Sequence, residues 1–568
     1  VKKFALLTLT IAMLMGMGTV PSAFAADDIK PVVTVSFAGY DEVVANIDAI
    51  GKLSGKPDLA KGLEGILAIM TQGKGLAGLD KKAPWGMLVQ VGEDGQPAGF
   101  GFLPATDLKQ LMDVLMNSPA GSTIKEDEGV YEIEGSDGET FYLAQRGKIA
   151  AIVKDKSDLD NVPSDPEKLL GDLPKKFLVA VRVSVANVPE SLRDQMLAGY
   201  GMLLNMAMQK EDGESDEAYA RRSKVMQRGV EQITMIVKEL NYIDVGLNID
   251  RSTSKTYLDL EVVAKEGTKL AEEISRAKPG KTDLAGFQSP AAAVVLNAIR
   301  TMTDKEVEDA KDTILFMKDQ GLKKIEELDV SEEQKESLTA LLDDAIELAE
   351  KNLETKKTDF GALVRLEPEA ITLVAGTSVA DGKAVEDLVK KILDLAKKEE
   401  PSLGDRAKFN TETYKGVRFH TFSIPVPGEE PKRFVGDELD FVLGVSDKQA
   451  FVAVGRDAAK MLKEVIDKSQ ASPGKEIPPS QVIVSALAIA RFVAEAAEDD
   501  EVKGPAQAAV GLLEKAEGKD HLTITGTTIP NGARVRFELE EGFLKMIGGA
   551  ADMLGGLGMT PDLPEKTE

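Results

Sequence analysis

From Trp85 to Leu115 the chain runs through an apolar stretch, a turn, a second apolar stretch and a segment of helical spacing, which predicts a hairpin leading into a helix. The same order recurs from Phe360 to Leu393. Trp85-Gly86-Met87-Leu88-Val89-Gln90-Val91 is matched by Phe360-Gly361-Ala362-Leu363-Val364-Arg365-Leu366, and Asp107-Leu108-Lys109-Gln110-Leu111 by Val385-Glu386-Asp387-Leu388-Val389. The offset is 275 at the aromatic-glycine pair, 277 at Leu108 and Val385, and 279 where Ile243 and Val245 match Leu522 and Ile524. Drifting offsets are what short loop insertions leave behind, so the pattern predicts an internally duplicated chain.

Taken in order, Val33 to Ala38 reads as a strand, followed by helices from Tyr40 to Ile50 and from Leu59 to Met70 and then by the Trp85 hairpin and its helix. Val130 to Ile133, Thr140 to Ala144 and Ile149 to Val153 form short runs broken by turn residues, which predicts an antiparallel meander. The first pattern restarts at Phe177: a strand, a helix opened by Pro189, a second helix from about Asp216 to Leu240, a hairpin around Asp250-Arg251-Ser252-Thr253 and a helix from Gly267. Pro279 to Gln288 reads as a linker. A third round follows from Ala292, a second meander lies between Gly404 and Val465, and a fourth round begins at Val482. The predicted fold is α+β, with two pseudo-repeated lobes, each an antiparallel sheet covered by helices. The boundaries are a signal peptide at 1–25, a first lobe at 26–280, a linker at 281–288, a second lobe at 289–555 and a flexible tail at 556–568.

The first residues change where this fold is expected to reside. Lys2 and Lys3, an apolar run from Phe4 to Met17 and Ala23-Phe24-Ala25 follow the order of a secretory signal peptide, with cleavage expected after Ala25. Export to the periplasm or beyond is the expectation. No later stretch is long and apolar enough to span a bilayer, since Val482 to Ala497 is interrupted by Arg491. The chain has no cysteine, so it holds together without disulfides, as a chain of 568 residues is large enough to do. Its formal charge of −26 disfavours nucleic acid and anionic lipid, both of which call for clustered Lys and Arg.

Candidate chemistry is sparse. There are two histidines, His420 and His521, without the partners that zinc or cysteine chemistry requires, and ordinary strand positions are expected for both. Gly376-Thr377-Ser378-Val379-Ala380 falls one glycine short of a nucleophile elbow. The glycine-rich runs at 73–78 and 95–101 lack the endings of phosphate-binding loops and read as turns. No EF-hand loop is present, and 95 acidic residues are too many to single out a catalytic pair. No cofactor or metal is expected.

One stretch stands apart. Leu192 to Met208 has almost no polar face, so it is either buried on several sides or in contact with something apolar outside the chain. Core packing is the first expectation. The second is a protein partner or a hydrophobic small molecule touching Met196, Tyr200, Met202, Leu203 and Met206, methionine being suited to varied surfaces. The functional expectation is an exported, non-enzymatic binding or scaffolding protein of the cell envelope. The alternatives are a periplasmic carrier of a hydrophobic ligand and a hydrolase using carboxylates or Ser378.

Overall fold

The computed structural model describes residues 29–116, 123–134, 139–403 and 406–554. The expected signal peptide, its cleavage point at Ala25 and the tail at 556–568 lie outside them. The chain is α+β, and the strand pairings among the described residues are antiparallel. Among the described residues no helix is long and apolar enough to cross a membrane.

Strand β1 (Val33–Phe37) is followed by helices α1 (Tyr40–Leu53) and α2 (Leu59–Met70), the hairpin β2 (Trp85–Val91) and β3 (Pro97–Leu103), and α3 (Leu108–Met116). A meander of β4 (Thr123–Asp127), β5 (Val130–Glu134), β6 (Thr140–Arg146) and β7 (Ile149–Val153) leads to β8 (Val179–Val183). Two long helices, α4 (Glu190–Ala207) and α5 (Asp216–Glu239), precede the hairpin β9 (Leu240–Asp250) and β10 (Lys255–Ala264). Then come β11 (Gly280–Thr282), β12 (Val294–Thr301), α6 (Asp304–Glu326), α7 (Glu332–Glu354), the hairpin β13 (Lys357–Glu367) and β14 (Ala370–Ser378), and α8 (Gly382–Glu399). The second meander is β15 (Ala407–Tyr414), β16 (Val417–Pro425), β17 (Glu438–Val445) and β18 (Gln449–Gly455). It is followed by α9 (Ala458–Ala471), β19 (Lys475–Ile477), β20 (Ser480–Ser485), α10 (Ala486–Ala496), α11 (Asp500–Glu514), β21 (His521–Ile529), β22 (Gly532–Leu539) and α12 (Glu541–Leu554).

The chain divides into two compact units. Among the described residues, one holds those from 29 to Gly199, Met235–Ala271 and Arg536–Leu554, and the other holds those within Tyr200–Thr234 and Glu272–Val535. In the first, the strands run in the order β4, β5, β6, β7, β3, β2, β1, β8, β9, β10. In the second, the order is β15, β16, β17, β18, β14, β13, β12, β20, β21. Each places a meander, then a hairpin, then two single strands side by side.

Strand alternation decides what each core contains, because side chains on neighbouring positions point to opposite faces. In the first unit Phe100 and Phe102, both 0% exposed, face a cluster completed by Leu88, Ile149, Leu159 and Leu170. A second cluster forms where Leu108, Leu111 and Met112 of α3 meet Phe141 and Leu143 of the meander. Trp85 stacks flat on Phe37, its register partner on β1, with ring centroids 4.0 Å apart, so it is a packing residue. In the second unit Met461, Leu462, Val465 and Ile466 of α9 close on Val374, Phe451 and Phe287.

The segment expected as a linker is built into that core. Gly280–Thr282 pairs with Lys475–Ile477, and Leu284 and Phe287 are 1% and 0% exposed. Gly361 and Gly376 are directly opposite each other on β13 and β14, and the Phe287 ring lies across both. A Cβ at Gly361 would sit 2.4 Å from a ring carbon, so only glycine leaves room for it. Asp359 fixes the approach, accepting from Thr282 Oγ1 at 2.7 Å and from the Asp283 N–H at 2.9 Å.

Candidate interaction surface

Helix α4 contains no buried residue. Arg193, Leu197, Tyr200, Leu204 and Met208, spaced as one helical stripe, are half-buried. The opposite side is open: Met196, Met202, Leu203 and Met206 are 65, 69, 68 and 67% exposed. The first expectation, burial on several sides, is therefore not met. Four of the five residues singled out for contact lie on the open side, and Tyr200 lies on the half-buried one. The helix also carries Gly199 and Gly201, and nothing lies within 4 Å of a Cβ built at either. Glycine inside a helix costs roughly 1 kcal/mol against alanine, and among the described residues no neighbour requires either of these two.

The geometry around α4 is polar. Arg222 of α5, 6% exposed, donates to the carbonyls of Ala207 and Gln209 at 2.9 Å each, satisfying groups that the end of α4 leaves without partners. The same guanidinium makes two bonds to Glu214, of 2.9 and 2.7 Å, and these hold the Glu214 carboxyl down at about 2. One residue earlier on α5, Arg221 makes a fork of 2.6 and 2.8 Å to Asp319 of α6. Lys224 reaches Asp312 at 2.7 Å, and Arg228 bonds Asp312 as well as the Asp309 carbonyl. Burial pushes the Asp312 carboxyl up, but the bonds from Lys224 and Arg228 outweigh it and hold the group below its ordinary value. Charges thus clamp α5 to α6 turn by turn, and the apolar side of α4 takes no part in the clamp.

Other exposed apolar positions are less continuous. Helix α2 exposes Leu59, Leu63, Ile66 and Ile69, but Lys61 and Glu64 are interspersed among them. Met317 on α6 is 62% exposed in a helix dominated by charge.

The sites weighed for catalysis have ordinary surroundings. Ser378 ends β14 opposite Gln449, and its buried hydroxyl has no hydrogen-bond partner. His420, 4% exposed on β16, accepts from the Asn410 N–H through Nδ1 at 3.2 Å. Its Nε2 is 3.7 Å from Glu386, a carboxylate already bonded by Arg418 and Lys390. Burial lowers the His420 pKa, which keeps the ring neutral. His521 is near Asp520 at 3.8 Å. Among the described residues no three acidic or histidine side chains converge as metal ligands. A cleft of about 130 Å³ in the second unit is lined by Asp283, Gln449, Phe451, Ile466 and Ser469 among others. That is below the roughly 300 Å³ at which ligand pockets begin.

A buried charged layer in the first unit escaped sequence reasoning. Asp244, Asp259 and Glu261, 0, 3 and 1% exposed, share one face of β9 and β10. Arg182 forks onto Asp244 with two bonds of 2.7 Å and lies 4.0 Å over the Tyr242 ring. Arg536 does the same to Asp259 at 2.7 Å, lying 4.3 Å over Tyr257. The signal was present as Tyr242-Ile-Asp244 and Tyr257-Leu-Asp259, since a two-residue step puts ring and carboxylate on one face. Burial pushes the Asp244 carboxyl up, while its bonds hold Arg182 firmly protonated. Asp244 and Asp259 are each consumed by an arginine, and Glu261 lies 3.7 Å from the Lys176 ammonium, which makes the layer structural.

No protein-family model matches the chain, and neither a curated protein nor a solved structure is significantly similar to it, so the residues themselves are what a functional reading rests on.

Proposed function

We propose that the chain is an exported, non-enzymatic binding or scaffolding protein of the cell envelope that acts through the open side of α4. The observation that carries this reading is the exposure of Met196, Met202, Leu203 and Met206 on a helix whose end is pinned by Arg222. Contiguous apolar surface of this kind marks interaction sites in soluble proteins. A carrier would enclose its cargo, and among the described residues the open helix side has no opposing wall of the sort a buried ligand requires. The expected duplication belongs to the same reading and is supported by the like order of strands in the two units. On this view the copies share architecture, and α4 is where they differ.

Methionine oxidation tests it. Cells secreting the protein and the purified protein at high dilution are treated with peroxide, and sulfoxide formation is read residue by residue by mass spectrometry. Met202 and Met206 are expected to oxidise several-fold more slowly in the envelope than in dilute solution, while Met317 reacts at the same rate in both. Equal rates at Met202 and Met206 in the two settings would show that nothing covers α4 and would sink the reading.

A further inference from the structure

We propose that the occupant of α4 is the α4 of a second copy of this chain, the two helices meeting antiparallel along Met196, Gly199, Leu203 and Met206. This inference rests on the reading of α4 as a docking surface.

Four observations point to a helix, and to this one. The first is spacing. Met196 and Leu203 are seven residues apart, as are Gly199 and Met206, and the two pairs interleave at three and four residues. That is the narrow seam with which one helix packs against another, while the half-buried stripe of Leu197, Tyr200 and Leu204 serves the chain's own fold. The second is shape. Space is open above Gly199, which lets a second backbone approach closely at the middle of the seam.

The third observation is charge. From Gln195 to Gln209 there is no charged residue, in a chain whose formal charge is −26. An equally acidic copy meets no like charge along this line. An antiparallel arrangement also opposes the dipoles of the two helices. A helix lying on anionic lipid would carry Lys and Arg along its polar side, and α4 has none over this span.

The fourth is area. With about two thirds of each residue free, Met196, Leu203 and Met206 of the seam and Met202 beside it offer on the order of 500 Å² per copy, and the residues flanking them bring this towards the ~800 Å² per partner of a standard interface. A two-fold interface uses the same patch twice, which a seam of this symmetry satisfies.

The test uses the mature full-length chain. Its mass is measured by light scattering at about 50 µM, above the micromolar Kd of the weakest interfaces of this size. Twice the chain mass is expected, and Leu203→Glu is expected to raise Kd at least tenfold without altering the circular dichroism, because Leu203 is 68% exposed. The absence of cysteine supplies an independent readout. Under mild oxidant Met202→Cys is expected to give a covalent dimer and Met317→Cys is not. A monomer at this concentration overturns the proposal, as does a dimer that neither Leu203→Glu weakens nor Met202→Cys traps. Either failure leaves the docking reading standing on the oxidation experiment, in which protection of Met202 would then report a different partner.

Discussion

Replacing Phe287 by alanine opens the core of the second unit at the point where β13 and β14 pair glycine with glycine. The ring is 0% exposed and rests on Gly361 and Gly376. Losing it forfeits roughly 100 Å² of buried apolar surface, about 2.5 kcal/mol at 25 cal/mol per Å². The residual cavity, roughly 80 Å³, costs about 2 kcal/mol more at 24 cal/mol per Å³. Phe287→Ala is thus expected to destabilise the unit by about 4 kcal/mol. Gly361→Ala acts on the same contact from below. Its new Cβ would lie 2.4 and 2.7 Å from two ring carbons, against ordinary contacts of about 3.5–4.0 Å. Overpacking of this kind costs about 1–3 kcal/mol. The informative experiment is the double variant. With the ring gone, the added methyl enters the cavity, so the pair is expected to cost about as much as Phe287→Ala alone, and the single effects fall short of adding by about 1–3 kcal/mol. Amide exchange of peptides covering β13 and β14, read by mass spectrometry, reports the opening of these strands directly, with about a thousandfold acceleration for 4 kcal/mol. Additivity of the two substitutions within about 0.5 kcal/mol would refute the proposed contact.

Three further expectations test the polar interior. Asp244→Ala leaves the Arg182 guanidinium largely buried with Asp172 as its remaining ion-pair partner, and a loss of roughly 3 kcal/mol is expected in guanidinium denaturation, partly recovered when Arg182 is also replaced by methionine. A loss below about 0.5 kcal/mol would mean that water reaches the pair. His420 is held neutral by burial, with Glu386 pulling its pKa the other way and Lys390 and Arg418 adding to the lowering. A lowered folded-state value means that the unfolded chain takes up the proton first, so this contribution is present above about pH 6.5 and is lost as pH falls towards the folded-state value. The stability advantage of the natural protein over His420→Gln should therefore narrow between pH 7 and pH 5, and an unchanged gap would contradict the assignment. The ion pairs between α5 and α6 are only partly shielded, with Arg221 33% and Arg228 22% exposed. Raising salt from about 0.1 to 1 M shortens the screening length from about 10 to 3 Å. Exchange of the α5 amides should then accelerate while that of β13 and β14 does not.

Helices and hairpins were legible because their periods are local. Leu59 to Met70 and Asp216 to Glu239 are helices where apolar spacing placed them, and the meander strands are where turn residues divide them. The segment from Gly280 to Gln288 read as a linker because its composition is polar and turn-rich, whereas its two large apolar residues, Leu284 and Phe287, are the ones that become buried. Nothing local distinguishes a side chain that fills a glycine gap on strands far along the chain. Helix α4 failed in the opposite direction. Its composition resembles a core helix, but burial depends on what packs against a helix, and α5 meets the end of α4 through Arg222, which bonds the carbonyls of Ala207 and Gln209. The paired Tyr-x-Asp motifs were visible, but their partners Arg182 and Arg536 come from other strands.

The glycine pair beneath Phe287 also bears on how fast the second unit forms. Gly361 and Gly376 face each other in the middle of the β13–β14 hairpin and give it no cross-strand side-chain contact there. Glycine is also a poor strand former, so this hairpin holds its register weakly on its own. The residue that completes it is contributed from the far side of two 23-residue helices, α6 and α7. Pairing of the central strands is therefore a non-local event that waits on closure of a long loop, in the class of topologies that fold in milliseconds to seconds. Until Phe287 docks, the apolar strands remain open to pairing with other chains.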